Sequence, residues 1–123
     1  MLKDLFLVFV GGGFGSVCRY ALSVWLKPLV HHGFPVHTFS ANVLGCLLIG
    51  LLMGLLAKHP GQSWQLLLVT GLCGGFTTFS TFSSECFALF RGGDVLMGLA
   101  YAVSSLAVCL IMVAAGFWLA SIK

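Results

Sequence analysis

Four apolar runs, each close to the roughly 20 residues that a helix needs to cross hydrocarbon, leave this chain few ways to fold. They extend over about Leu5 to Leu26, Val36 to Ala57, Leu66 to Phe90 and Val95 to Ala120. The intervening stretches KPLVHHGFP, KHPGQSW and RGGD are short and rich in proline, glycine and charge, as turns require. Of the 123 residues, 59% are hydrophobic and 7% are charged, far from the averages of a soluble domain. The expectation is a multi-pass all-α membrane protein forming one four-helix domain over residues 1–123. The first run lacks a small-residue cleavage site after a short core, so it reads as a retained helix and not a signal peptide. No fixed-period repeat and no long tail is present, and neither nucleic acid nor a soluble protein partner is expected.

The formal charge of +3 comes from basic residues that flank the spans. With four spans, Lys3, Lys58 and Lys123 fall on one side of the bilayer, Lys27 and Arg91 on the other, and Arg19 inside the first span. So even a distribution supplies almost no positive-inside signal. Insertion in both orientations, with an antiparallel pair as the simplest product, is the expectation from that balance. Cys18, Cys46, Cys73, Cys86 and Cys109 all fall inside spans without a C-x-x-C pair, and read as small packing hydrophobes. His31, His32 and His37 gather near the first loop with no carboxylate or cysteine close in sequence, and read as solvated interfacial side chains.

Polar groups inside the spans are few, and each is costly enough to be a functional suspect. Arg19 reads either as a snorkelling, structural arginine or as a cation that draws an anion into a vestibule. Glu85, toward the end of the third span, reads either as a shallow wetted carboxylate or as a participant. Asn42 needs hydrogen-bond partners and shares a helical face with Thr38 and Gly45. It serves as interhelical glue or as a donor to a passing ligand. On the fourth span Tyr101, Ser105 and Cys109 recur every fourth residue, with Ser104 beside them. Gly11 with Gly15, and Gly50 with Gly54, have the spacing of close helix contacts.

The stretch GGFTTFSTF, residues 74–82, interrupts the third span. Gly74 and Gly75 loosen a helix and Thr77 and Thr78 hold one poorly, so a break is expected near Gly74 to Thr78. Such breaks are tolerated in a membrane only where they are buried in protein or line a cavity, and they free carbonyls able to coordinate a hard cation. Phe79 and Phe82 share a face of the resumed helix, with Ser80 and Thr81 between them as hydroxyl donors. Ring edges carry positive potential and so favour an anion without admitting bulk water. Packing phenylalanines and a capped kink are the competing structural explanation.

Three blocks in order, GGFGSVCRY (residues 12–20), TFSANVLG (38–45) and GGFTTFSTF (74–82), resemble the Fluc-type fluoride channels, also called the CrcB family, over essentially the whole chain. The resemblance implies an antiparallel, dual-topology homodimer in the bacterial inner membrane, with two passive pathways by which fluoride leaves the cytoplasm. It implies a path past Asn42, with Phe79 and Phe82 as a ring box. Thr78, Ser80 and Thr81 would form its hydroxyl-rich segment, and Thr38, Tyr101 and Ser105 would lie along it. Backbone carbonyls of Gly74 and Thr77 from both subunits would hold a structural sodium ion. Arg19 and Glu85 match the family's arginine and acidic residue, whereas Cys109 stands where a hydroxyl would be the better donor.

Three other functions are weaker readings of the same residues. A proton-coupled multidrug exporter would want a membrane-centred carboxylate in the first span, which holds no acid after Asp4. An assembly factor leaves the grouped donors and rings without a task. An enzyme is the weakest of the three, because no histidine or second carboxylate lies near Glu85 in the expected spans and no nucleophile and base can be paired.

Overall fold

The computed structural model describes residues 1–29 and 33–122. Its elements are α1 (Leu2–Leu26), a 3₁₀ turn (Lys27–Leu29), α2 (Val36–Lys58), α3 (Gln62–Trp64), a π-helix (Gln65–Cys73), α4 (Gly74–Phe76), α5 (Phe79–Arg91) and α6 (Val95–Ile122). In membrane terms these are four spans, Leu2–Leu29, Val36–Lys58, Gln62–Arg91 and Val95–Ile122, each long and apolar enough to cross a bilayer. Hydrocarbon offers backbone groups no water, so helices that close their own hydrogen bonds are the natural solution. Two expected boundaries move outward: α1 begins at Leu2, and the third span begins at Gln62 inside the stretch expected to be a loop. His31, His32 and Lys123 lie outside the described residues.

The spans meet in two parallel pairs whose contact surfaces are glycine. Gly11 and Gly15 of α1 lie against Leu67, Gly71, Leu72 and Phe76 of the third span, and the backbone of Gly12 abuts Gly75. Gly50 packs on the backbone of Val113, Gly54 on Phe117 and Ala120, and Gly116 on Leu47 and Leu51. A methyl group at Gly11, Gly15, Gly50 or Gly75 would overlap its neighbour's backbone, so these helices touch main chain to main chain. The spacing motifs read from sequence are thus real contact surfaces. Because Gly50 faces Val113 and Gly54 faces Phe117, α2 and α6 advance in step, four residues at a time.

The ends are fastened by charge and turn chemistry. Lys58 Nζ donates to the Ala120 carbonyl at 2.8 Å, tying the end of α2 to the end of α6. Between α5 and α6, Gly93 takes φ 87°, a left-handed conformation suited to glycine. Asp94 then caps α6 by accepting the Met97 amide at 3.2 Å.

The helix break falls within the expected region, but the glycines are not where it opens. Gly74 and Gly75 stay helical, and Thr77 (φ −86°, ψ 157°) and Thr78 (φ −150°, ψ 120°) are extended. The role of Gly75 is to admit the Gly12 backbone. Preceding the break, nine residues form a π-helix, which the sequence did not announce.

Gly50→Val is expected to force α2 from α6 and to lower stability by about 1–3 kcal/mol. A methyl group at Gly13 would meet no other element within 4 Å among the described residues. Gly13→Ala should therefore stabilise by roughly 0.5–1 kcal/mol through helix propensity. Thermal unfolding of both variants in detergent checks the pair.

Candidate functional site

The extended dipeptide Thr77–Thr78 would leave peptide groups unpaired at membrane depth, and Asn42 answers this directly. Its Nδ2 donates to the Thr78 carbonyl at 3.1 Å, and its Oδ1 accepts the Thr78 amide at 2.8 Å. The side-chain amide thus pairs with a peptide group as a neighbouring strand would. Asn42 can take this place because α2 passes the break with Gly45 facing it, where any side chain would collide with the Thr77 methyl.

Each side of the break has its own closure. On the outgoing side, Thr78 caps α5: its hydroxyl accepts the Thr81 amide at 3.2 Å and donates to the Thr81 hydroxyl at 3.0 Å. On the incoming side, Thr77 donates its amide and its hydroxyl to the Cys73 carbonyl, at 2.9 and 2.8 Å. The Gly75 carbonyl receives Arg19 Nε at 3.1 Å and Ser16 Oγ at 3.5 Å. Arg19 therefore places its guanidinium at the negative end of the interrupted helix, a favourable position for a cation.

Beside the break lies a cavity of about 270 Å³. Of the residues singled out from sequence, Asn42, Thr77, Thr78, Phe79, Phe82 and Ser105 line it, and so does Cys109. Gly45, Cys46, Ile49 and Leu106 complete the wall, and no sequence signal marked Ile49 or Leu106 for it. The Phe79 and Phe82 rings are 5.8 Å apart at 44°, and Phe82 lies 5.0 Å from the Tyr101 ring. Phe79 is 79% exposed in the isolated chain. Ser105 is buried, and its hydroxyl has no partner among the described residues. Apart from Asn42, Thr77, Thr78, Ser105 and the two thiols the wall is apolar, and it carries no charged side chain.

Other sequence candidates stand elsewhere. Glu85 accepts hydrogen bonds from the Thr38 hydroxyl and from the Tyr101 hydroxyl, both at 3.0 Å, so those two groups meet at a carboxylate instead of lining the cavity. The Thr81 hydroxyl is engaged at the break, Ser80 faces outward, and Gly74 is exposed. One expectation is overturned. His37 Nε2 lies 3.3 Å from Glu85 Oε2, so a histidine does accompany the carboxylate, and His37 is not a freely solvated side chain. Packing the start of α2 against α5 joins two residues that sequence distance had separated. The i, i+4 ladder on α2 was the available signal, since Thr38, Asn42 and Cys46 match Tyr101, Ser105 and Cys109 on α6 turn for turn.

Asn42→Leu is expected to orphan both Thr78 peptide groups, at about 1–3 kcal/mol each. Hydrogen exchange in micelles should then show the Thr78 amide opening while the amides of α6 keep their protection.

Comparison with known proteins agrees with this architecture. The profile described as CrcB-like protein, Camphor Resistance (CrcB), matches residues 6–117. The fluoride-specific ion channel FluC of Phocaeicola vulgatus is 41% identical over 119 residues, covering 96% of this chain and 98% of that protein. Those of Serratia proteamaculans (43% over 121 residues, 97% and 94% covered) and Desulfotalea psychrophila (43% over 119 residues, 96% and 92% covered) are similarly related. With a match over nearly its whole length and four helices fit to span a bilayer, the chain belongs to the CrcB family of multi-pass membrane proteins.

Proposed function

We propose that the chain is a passive fluoride channel of the bacterial cell membrane, releasing cytoplasmic fluoride and so lowering its toxicity. The observation that carries this reading is the cavity beside the broken helix, walled by Asn42, Thr78, Phe79, Phe82 and Ser105. The relatives' description as fluoride-specific ion channels supports the choice of anion. Fluoride is small and strongly hydrated, and a wall of neutral donors can replace part of its water shell without holding it. The path needs no catalytic step. Asp4, the acid of the first span, sits at its start, 3.8 Å from the terminal amine, which leaves that span without the central carboxylate a proton-coupled exporter would want.

The working unit of this reading is an antiparallel homodimer with two pathways. The near-even charge distribution supports dual insertion. The bare Phe79 ring and the exposed Gly74 backbone support burial against a second copy.

A structural sodium ion at the dimer centre fits the break. Asn42 takes the Thr78 amide that would otherwise bond to the Gly74 carbonyl, and the Thr78 hydroxyl takes the Thr81 amide that would otherwise bond to that of Thr77. These two carbonyls would hold the ion, doubled by a second copy, and unwound carbonyls suit Na⁺. When bound, it would supply fixed positive charge that pins the two breaks together. Gly74→Val crowds that centre and is expected to shift the dimer toward monomer in a dilution series followed by size.

The function is tested with liposomes loaded with fluoride or chloride and followed with ion-selective electrodes. Fast fluoride release with chloride retained is expected, and Phe79→Ile should cut the fluoride rate sharply while leaving a folded protein. Retention of both ions by folded wild-type protein would refute the channel, and unchanged flux in the variant would refute the ring box.

A further inference from the structure

The register between α2 and α6 places another pair of side chains in the cavity wall. Gly50 packs on Val113, and one helical turn earlier on each helix stand Cys46 and Cys109. Both thiols are free, and both line the cavity. Neither is fully buried, unlike nearby Cys73 at 0% exposure. Among the described residues, no group of three histidine, cysteine or acidic side chains could hold a metal ion, so a four-ligand zinc site is not formed here. Two facing thiols instead match the demand of soft d¹⁰ cations, which bind thiolate sulfur strongly and accept two ligands in line.

We propose that Cys46 and Cys109 form a two-coordinate site for a soft thiophilic cation such as Hg²⁺. On binding, two S–H bonds break, two sulfur–metal bonds form, and two protons leave to solvent, with no change of oxidation state. The bis-thiolate of a divalent ion is neutral, which suits an apolar wall where an isolated charge would be costly. The ion would sit one turn beyond Asn42 and Ser105 and narrow the cavity there. The site stands on the cavity's geometry and holds whether or not the cavity conducts.

The test loads purified Cys18→Ala, Cys73→Ala, Cys86→Ala protein with HgCl₂, washes it with a monothiol competitor, and weighs the intact chain. One mercury per chain with two protons lost is expected. Adding Cys46→Ser or Cys109→Ser should leave mercury capped by the competitor and speed its removal about tenfold or more, as loss of a chelating partner does. Two capped mercury ions on the parent, or equal retention by the single-thiol forms, would overturn the proposal. Wild-type protein gives an independent reading after loading and trypsin digestion. Mercury should join the fragment ending at Lys58 to the fragment beginning at Gly92, and a bridge confined to other fragments would equally refute the site. In liposomes, Hg²⁺ should block fluoride release and a dithiol should restore it. A wild-type protein that binds mercury in this bridged form yet never releases fluoride would sink the channel reading alone.

Discussion

A single side-chain amide carries the architecture of the third span. Two extended residues at mid-membrane would otherwise expose unpaired peptide groups to hydrocarbon, at a cost of several kcal/mol for each group. Asn42 removes that cost by pairing with both the amide and the carbonyl of Thr78. With this pairing in place the break can persist, α5 can start afresh from the Thr78 cap, and Phe79 and Phe82 are turned toward the cavity. The same pairing diverts an amide from the Gly74 carbonyl, so the clamp that permits the break also frees one of the two oxygens on which the proposed sodium site rests.

Charge is kept to the margins of this arrangement. Arg19 is drawn to the carboxyl end of the interrupted helix by the Gly75 carbonyl, and Glu85 is surrounded by Thr38, Tyr101 and His37. The cavity has no ionisable side chain other than thiols in its wall. For the proposed path this separation is physically apt. A fixed cation inside the path would hold an anion too long.

Much of this was legible in the sequence because hydrocarbon permits so little polarity. A lone asparagine, a glycine-threonine interruption and a pair of phenylalanines were conspicuous against apolar spans, and the GxxxG spacings marked helix contacts that the structure contains. Partnership was the part that escaped. Asn42 was open to reading as glue or as ligand donor, and only the fold shows its amide engaged by the Thr78 backbone. Arg19 was likewise ambiguous until its carbonyl partner was visible. His37 and Glu85 meet only because α2 and α5 pack together, which no local pattern encodes. The π-helix of Gln65–Cys73, packed against Gly11 and Gly15 of α1, has no counterpart in the sequence pattern. The stripe Tyr101, Ser105 and Cys109 stands out on α6, whereas the face read on α2, Thr38, Asn42 and Gly45, omits Cys46.

The central claim is that the cavity beside the Asn42 clamp is the route itself. Ile49 lines that cavity without touching the clamp's hydrogen bonds, so Ile49→Trp would fill the space and leave the break intact. Fluoride efflux from liposomes bearing this variant, with its size and Thr78 amide protection matched to wild type, is the decisive measurement. Release is expected to fall to the level of empty liposomes. Release at the wild-type rate through a filled cavity would show that fluoride passes elsewhere.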